Sequence, residues 1–236
     1  MERELKLRPN DPALLDRLAT VGRLGAFTVA GHRRELQRNS FFDSASGALG
    51  KARLGFRRRT IRAQSLATWS LKGGGQHVRG VATRTEIEVQ LDPATPPALA
   101  LDALRQAARE RGAVALADAV GEALADGGLP LATPFLETQT DRTILDLEAA
   151  EPGWRVELAL DRVRLLGHAY AELEIEAELK QGDEAALEAA REAITALGPT
   201  EPSEGSKLSR AMAHLAACGG CGSEPKHEKQ NLHTFI

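Results

Sequence analysis

Residues 84–91 read Arg-Thr-Glu-Ile-Glu-Val-Gln-Leu, an unbroken alternation of side-chain character. Successive side chains of a strand point to opposite faces. Arg84, Glu86, Glu88 and Gln90 therefore share one face, and Thr85, Ile87, Val89 and Leu91 share the other. A helix cannot use this pattern, because its apolar stripe recurs with a longer period. The same two-faced pattern returns along the chain. Glu2, Glu4 and Lys6 oppose Arg3, Leu5 and Leu7; in 54–61, Arg57 and Arg59 oppose Phe56 and Arg58. In 68–72, Ser70 and Lys72 oppose Trp69 and Leu71; in 154–160, Arg155, Glu157 and Ala159 oppose Trp154, Val156, Leu158 and Leu160. In 171–180, Glu172, Glu174, Glu176 and Glu178 oppose Leu173, Ile175, Ala177 and Leu179.

Between these segments the chain offers helices and turns. Asp11-Pro12 reads as a helix start, with Leu14, Leu15 and Leu18 as its apolar stripe. A polar stretch over 31–34 leads into a strand at 35–43, and 44–50 is a small-residue turn. Gly73, Gly74 and Gly75 mark a loop. An Ala- and Leu-rich helical region covers 97–125, and 135–147 is a strand carrying Arg142. Asp183 caps a helix striped by Leu187, Ala190, Ile194 and Leu197, and a last helix begins at Ser206.

About eight strands result, apolar on one face and ionised on the other. A sandwich would bury the apolar faces and leave both signs of charge on the surface. Closing the sheet the other way makes a β-barrel with an ionised interior, its apolar outside covered by the Ala/Leu helices. The fold class is then α+β. Buried charge is costly unless paired or occupied, so such a barrel calls for a highly charged guest.

A chain of 236 residues can bury a sizeable core as one domain or two. Its net charge of −3 advertises no nucleic acid, and the Arg57-Arg58-Arg59 run lacks the interleaved aromatics of a strand-binding surface. No apolar run is long enough to cross a membrane as a helix, and the charged N-terminus does not read as a secretory signal. The location expected is cytoplasmic, as a monomer or homodimer. Cys218 and Cys221 could join His227 and His233 at a zinc ion, but that spacing is not a finger's. A flexible tail over 217–236 is expected instead, following a domain over 1–216.

The charged face specifies its guest further. Lys6, Arg57, Arg59, Lys72, Arg84 and Arg142 suit phosphate oxygens. Glu2, Glu4, Glu157, Glu174 and Glu176 would repel phosphate unless divalent cations stood between, and oxygen ligands select Mg²⁺, Mn²⁺ or Ca²⁺. A metal–polyphosphate site is the reading.

Glu2-x-Glu4-x-Lys6 resembles the signature of the CYTH superfamily, the triphosphate tunnel metalloenzymes. Later segments resemble its remaining blocks in order: Phe41-Phe42-Asp43, Gly55-Phe56-Arg57-Arg58-Arg59, Lys72, Arg84-Thr85-Glu86, Arg142, Val156-Glu157 through Asp161, Glu172 through Asp183, and Ser206-Lys207-Leu208-Ser209-Arg210. Ser44-Ala45 departs from the Thr-Pro usual after the aspartate, and Arg58 adds an outward charge. The resemblance implies a closed antiparallel eight-stranded β-barrel forming a tunnel, a two-metal site for Mg²⁺ or Mn²⁺, and hydrolysis of a triphosphate. By it, Glu2, Glu4, Glu174 and Glu176 hold metal, with Glu157 and Asp161 assisting. Lys6, Arg57, Arg59, Lys72, Arg84, Arg142, Lys207 and Arg210 bind phosphates, and Glu4, Lys6, Glu157 and Glu174 form the catalytic set. Inorganic triphosphate is favoured because the chain has one Tyr and two Trp to stack an organic group. Thiamine triphosphatase, class IV adenylyl cyclase and a non-catalytic polyphosphate-binding module are the alternatives.

Overall fold

The computed structural model describes residues 2–78 and 81–218. They fall into two units, one ending at Glu204 and one beginning at Gly205. The first contains strands β1 (Glu2–Pro9), β2 (Arg23–Leu24), β3 (Phe27–Phe42), β4 (Gly55–Ile61), β5 (Ala67–Val78), β6 (Val81–Leu91), β7 (Leu136–Ala149), β8 (Trp154–Leu165), β9 (Ala171–Gln181) and β10 (Thr200–Pro202). Its helices are α1 (Ala13–Ala19), α2 (Ala48–Lys51), α3 (Pro97–Glu110), α4 (Val114–Gly127) and α5 (Glu184–Leu197). The second unit contains α6 (Lys207–Cys218). Residues 219–236, with Cys221, His227 and His233, lie outside the described residues. No described helix is long and apolar enough to cross a membrane.

The strands pair antiparallel in the order β1-β6-β5-β4-β3-β7-β8-β9, and β9 pairs back onto β1. Eight strands therefore form one hydrogen-bonded circuit, with β2 and β10 as short additions on β3 and β1. Closure leaves one face of each strand inside and the other outside. The outside is apolar and carries two cores. Leu5, Leu145, Leu158 and Ile175 pack under α1 and α5, whose Leu14, Leu18, Leu187 and Ile194 are buried there. Phe42, Phe56, Trp69, Leu71 and Ile87 pack under α3 and α4. Asp183 caps α5 as expected, accepting from Ala185 N at 3.0 Å.

Three local expectations differ from the structure. The polar stretch 31–34 belongs to β3, which begins at Phe27; its exposed Arg33 and Arg34 bond carboxylates of β7 and β8. The glycines 73–75 continue β5 through a bulge, where the register shifts between Gly73 and Gln76 and Gly74 takes φ +61. A Cβ on Gly73 would sit 2.5 Å from a Leu54 methyl and 2.7 Å from a Leu116 methyl, so glycine lets α4 approach the strand. The helical region 97–125 is broken between α3 and α4 at Gly112, whose φ is +77.

Two departures from the family pattern also find places. Asp43 accepts from Leu49 N and Gly50 N, both at 2.9 Å, and Ser44 Oγ accepts from Ala48 N at 3.1 Å. Together they tie down the turn into α2. Arg58 faces outward, 5.6 Å from the ring centroids of both Phe42 and Trp69, and donates to Pro93 O at 2.9 Å.

Candidate active site

Strand register decides which charged groups meet inside the circuit. Glu35, Arg142, Asp161 and Glu174 are successive cross-strand neighbours on β3, β7, β8 and β9. Lys6 faces Glu176 across the β1–β9 seam. Asp161 and Glu174 are fully buried, and with Glu176 they bring carboxylate oxygens within 4.8 Å of one another.

Three carboxylates so close repel unless cations stand among them. Arg142 provides one. Its Nε and Nη2 donate to the two Asp161 oxygens at 2.7 and 2.6 Å, and Nη2 also donates to Glu176 Oε2 at 2.5 Å. Burial acts to lower the Arg142 pKa, but Asp161 and Glu176 hold it well above the ordinary guanidinium value. Lys6 provides another cation, its Nζ 3.1 Å from both Glu176 Oε1 and Glu4 Oε1. Arg84 Nη2 lies 3.4 Å from the same Glu4 oxygen. Ser203 Oγ donates to Glu174 Oε1 at 2.8 Å, while Ser203 N donates to Lys6 O at 2.9 Å. The residue just beyond β10 thus ties β1 to the glutamate of β9.

The facing wall is basic. On β4, Arg57 Nε donates to Ser70 Oγ at 3.1 Å, and its Nη2 stands 3.5 and 3.6 Å from Glu86 and Glu88. Lys72 Nζ is 2.7 Å from Glu86 Oε2. Arg59 Nε donates to the neutral Asn39 Oδ1 at 3.3 Å. Burial, reinforced by repulsion from Arg57 and Arg142, pushes the Arg59 pKa down to about 10. Burial and the neighbouring Glu86 raise that of Glu88. In the ring, β4 is the fourth strand from β9 in either direction, so the strand bearing Arg57 and Arg59 lies across from the one bearing Glu174 and Glu176, and Arg59 is near enough to be repelled by Arg142, which bonds Glu176.

Of the residues proposed from sequence, the structure brings Glu4, Lys6, Arg84, Arg142, Asp161, Glu174 and Glu176 into one contiguous network, with Arg57, Arg59 and Lys72 facing it. Glu157 sits elsewhere along β8. Its Oε2 takes a 2.5 Å bond from Arg33 Nη2, and Lys180 Nζ lies 3.9 Å from its Oε1. Glu2 pairs through its backbone with Arg84, and its side chain lies outside the described residues. Lys207 and Arg210 are in the first turn of α6, in the second unit. Sequence reasoning missed Ser203, Asn39 and Arg33. Asn39 was within reach of it, since alternation through 35–43 places it with Gln37 on one face.

The buried trio fits a hard divalent cation, because all three donors are carboxylate oxygens and no thiol or imidazole shares the cluster. In chemical terms the lumen offers cation-binding oxygens on one wall and oxyanion-binding guanidinium and ammonium groups on the other.

Known structures share this architecture. HpAC1 from Hippeastrum, a candidate adenylyl cyclase whose dominant activity is that of a triphosphatase, is 24% identical. It superposes with a TM-score of 0.63 over 91% of this chain and 96% of its own. The candidate adenylate cyclase bh2851 of Bacillus halodurans is 22% identical, with a TM-score of 0.51 over 89% of this chain and 98% of its own. The PH1819 protein of Pyrococcus horikoshii OT3 is 18% identical, also with a TM-score of 0.51, over 89% and 99%. At these identities the likeness is one of fold. No protein of curated function matches the sequence. The CYTH domain model matches residues 1–212, nearly the whole chain, and the tunnel's charged blocks fall within that span. The chain belongs to the CYTH family.

Proposed function

We propose that this tunnel hydrolyses inorganic triphosphate to pyrophosphate and phosphate with Mg²⁺ or Mn²⁺. The observation that carries the reading is the opposition of the two walls, with the strand bearing Arg57 and Arg59 across the ring from the one bearing Glu174 and Glu176. A polyanion alone would need only the first wall. Asp161, Glu174 and Glu176 would hold a cation, with Glu4 beside them through Lys6. A bound divalent cation supplies Lewis acidity and a water of lowered pKa.

The chain's own residues do the rest. Arg57, Arg59, Lys72 and Arg84 grip the phosphate oxygens and offset the charge that develops on the leaving group, the electrostatic stabilisation on which phosphoryl transfer depends. Lys6 holds Glu4 and Glu176 in place. Ser203 fixes the orientation of Glu174. Glu4 or Glu174 accepts the proton of the attacking water.

The placement of the two tryptophans favours the inorganic substrate over thiamine triphosphate or ATP. Trp69 is buried in the outer core under α3 and α4, and Trp154 packs against Phe27 in the other outer core. Neither offers a stacking surface in the lumen.

The test is a phosphate-release panel of tripolyphosphate, ATP, thiamine triphosphate and pyrophosphate, with Mg²⁺ and Mn²⁺ separately and with chelator. Tripolyphosphate should show the highest kcat/KM, and EDTA should abolish turnover reversibly. Cyclic AMP with pyrophosphate released from ATP as the main reaction would point to the cyclase instead. Binding of tripolyphosphate without turnover would point to a binding module.

A further inference from the structure

The trio that would hold the cation is not open to it. Arg142 reaches over β8 and bonds both Asp161 and Glu176, two of the three carboxylates, through Nε and a shared Nη2. Its side chain is 12% exposed, so it is itself buried and needs an anionic partner wherever it rests. Asp161 and Glu176 hold it now; its cross-strand neighbour Glu35 is already engaged by Gln37 Nε2 at 2.7 Å and Arg33 Nε at 3.6 Å, which leaves the phosphates proposed for the lumen as the fresh anion.

We infer that Arg142 is an internal counter-ion exchanged on binding, so that cation and phosphate enter the tunnel cooperatively. The inference rests on the proposed metal–triphosphate reading and adds an order of affinities to it. A cation entering alone must displace the guanidinium from Asp161 and Glu176 and leave it only Glu35, a carboxylate already engaged by Arg33 and Gln37. Arriving phosphate takes the guanidinium over and leaves the carboxylate oxygens to the cation. Each ligand thereby raises the affinity of the other, and linkage requires the effect to be reciprocal. Lys6 shares the work at Glu176, but it also holds Glu4, so its release does not empty the trio in the same way.

The opposite role would be that of a scaffold, in which Arg142 orders the carboxylates for the cation. The two roles predict opposite signs for one measurement. Mn²⁺ binding to the phosphate-free full chain is titrated by the loss of free-Mn²⁺ electron paramagnetic resonance signal, for wild type, Arg142→Met and Arg142→Lys. Arg142→Met removes the competing charge at similar side-chain length and should bind Mn²⁺ about tenfold more tightly than wild type, within the usual range of coupling between sites. Arg142→Lys keeps a competing cation and should stay near wild type. Should Arg142→Met fold only with metal, its thermal midpoint should respond to Mn²⁺ more steeply than that of wild type, which supports the same conclusion. Equal or weaker Mn²⁺ binding by Arg142→Met, with Arg142→Lys unchanged, would overturn the exchange and leave the metal site standing. A wild type that binds no Mn²⁺ and hydrolyses triphosphate in chelator would overturn the metal reading itself.

Discussion

Lys6 on β1 and Glu176 on β9 stand directly opposite each other across the seam that closes the barrel, with Nζ 3.1 Å from Oε1. Both are well buried, and the same ammonium holds Glu4 at 3.1 Å. One side chain therefore links the seam of the sheet to the charge network of the lumen. Lys6→Met leaves two buried carboxylates without this partner and should destabilise the metal-free protein by about 3 kcal/mol, the usual cost of removing one member of a buried ion pair. Urea unfolding with and without Mn²⁺ checks this. The loss should be smaller with Mn²⁺ present, because a cation among the carboxylates replaces the missing charge.

The three successive arginines of β4 should separate cleanly by face. Arg57→Ala and Arg59→Ala remove phosphate-facing charge, raise KM for tripolyphosphate roughly tenfold or more and lower kcat, as expected for charge-assisted bonds to phosphate. Arg58→Ala loses its place over Phe42 and Trp69 and its bond to Pro93 O. It should cost about 1–2 kcal/mol of stability and leave KM alone. Steady-state kinetics beside thermal unfolding of the three variants distinguishes the faces.

Arg59 carries a second consequence. Its pKa of about 10 in the folded chain lies below the ordinary guanidinium value, so between the two the unfolded chain holds more protons. Confining this cation costs stability at every pH below about 10, and that cost fades only as pH rises further. Arg59→Gln should therefore raise the melting temperature of the ligand-free protein at pH 8 by about 3 °C, the equivalent of roughly 1 kcal/mol at this size. The same variant should gain much less from added tripolyphosphate in chelator than wild type does. Differential scanning calorimetry reads both effects.

Ser203 is the test of orientation. Ser203→Ala removes the hydroxyl that Glu174 Oε1 accepts from, inside the barrel wall. Mn²⁺ affinity and kcat should each fall about tenfold, since supporting bonds to metal-holding groups carry effects of that order. Ser203→Thr restores the hydroxyl and should recover most of both. Isothermal titration with Mn²⁺ and single-turnover phosphate release provide the two readings.

The ring strands were legible because alternation is local, and alternation with ionised residues inside already implied closure. Depth along the tunnel was not legible. Glu157 and Asp161 are four residues apart on one strand and share a face, so parity cannot tell that one meets Arg33 and the other meets Arg142 and Glu174. The continuation of β3 through 31–34 was hidden because its exposed arginines break the apolar alternation, and the carboxylates of β7 and β8 that bond them are distant in sequence. The glycines of β5 read as a loop because only the packing of Leu54 and Leu116 explains why a strand needs them. Ser203 follows a three-residue strand with no periodicity of its own, and nothing near it in sequence points to Glu174.

The central claim is that Asp161, Glu174 and Glu176 hold one cation within a carboxylate network that Lys6 extends to Glu4 on β1. A thermal-shift titration with Mn²⁺ on wild type, Glu4→Gln and Glu174→Gln tests it most directly. Binding to the native state raises stability by RT ln(1 + [L]/Kd). Wild type should rise steadily with Mn²⁺, and both variants should fold, rise less at every concentration and release little phosphate from tripolyphosphate. Equal Mn²⁺ shifts in all three proteins, with phosphate release intact, would contradict the account.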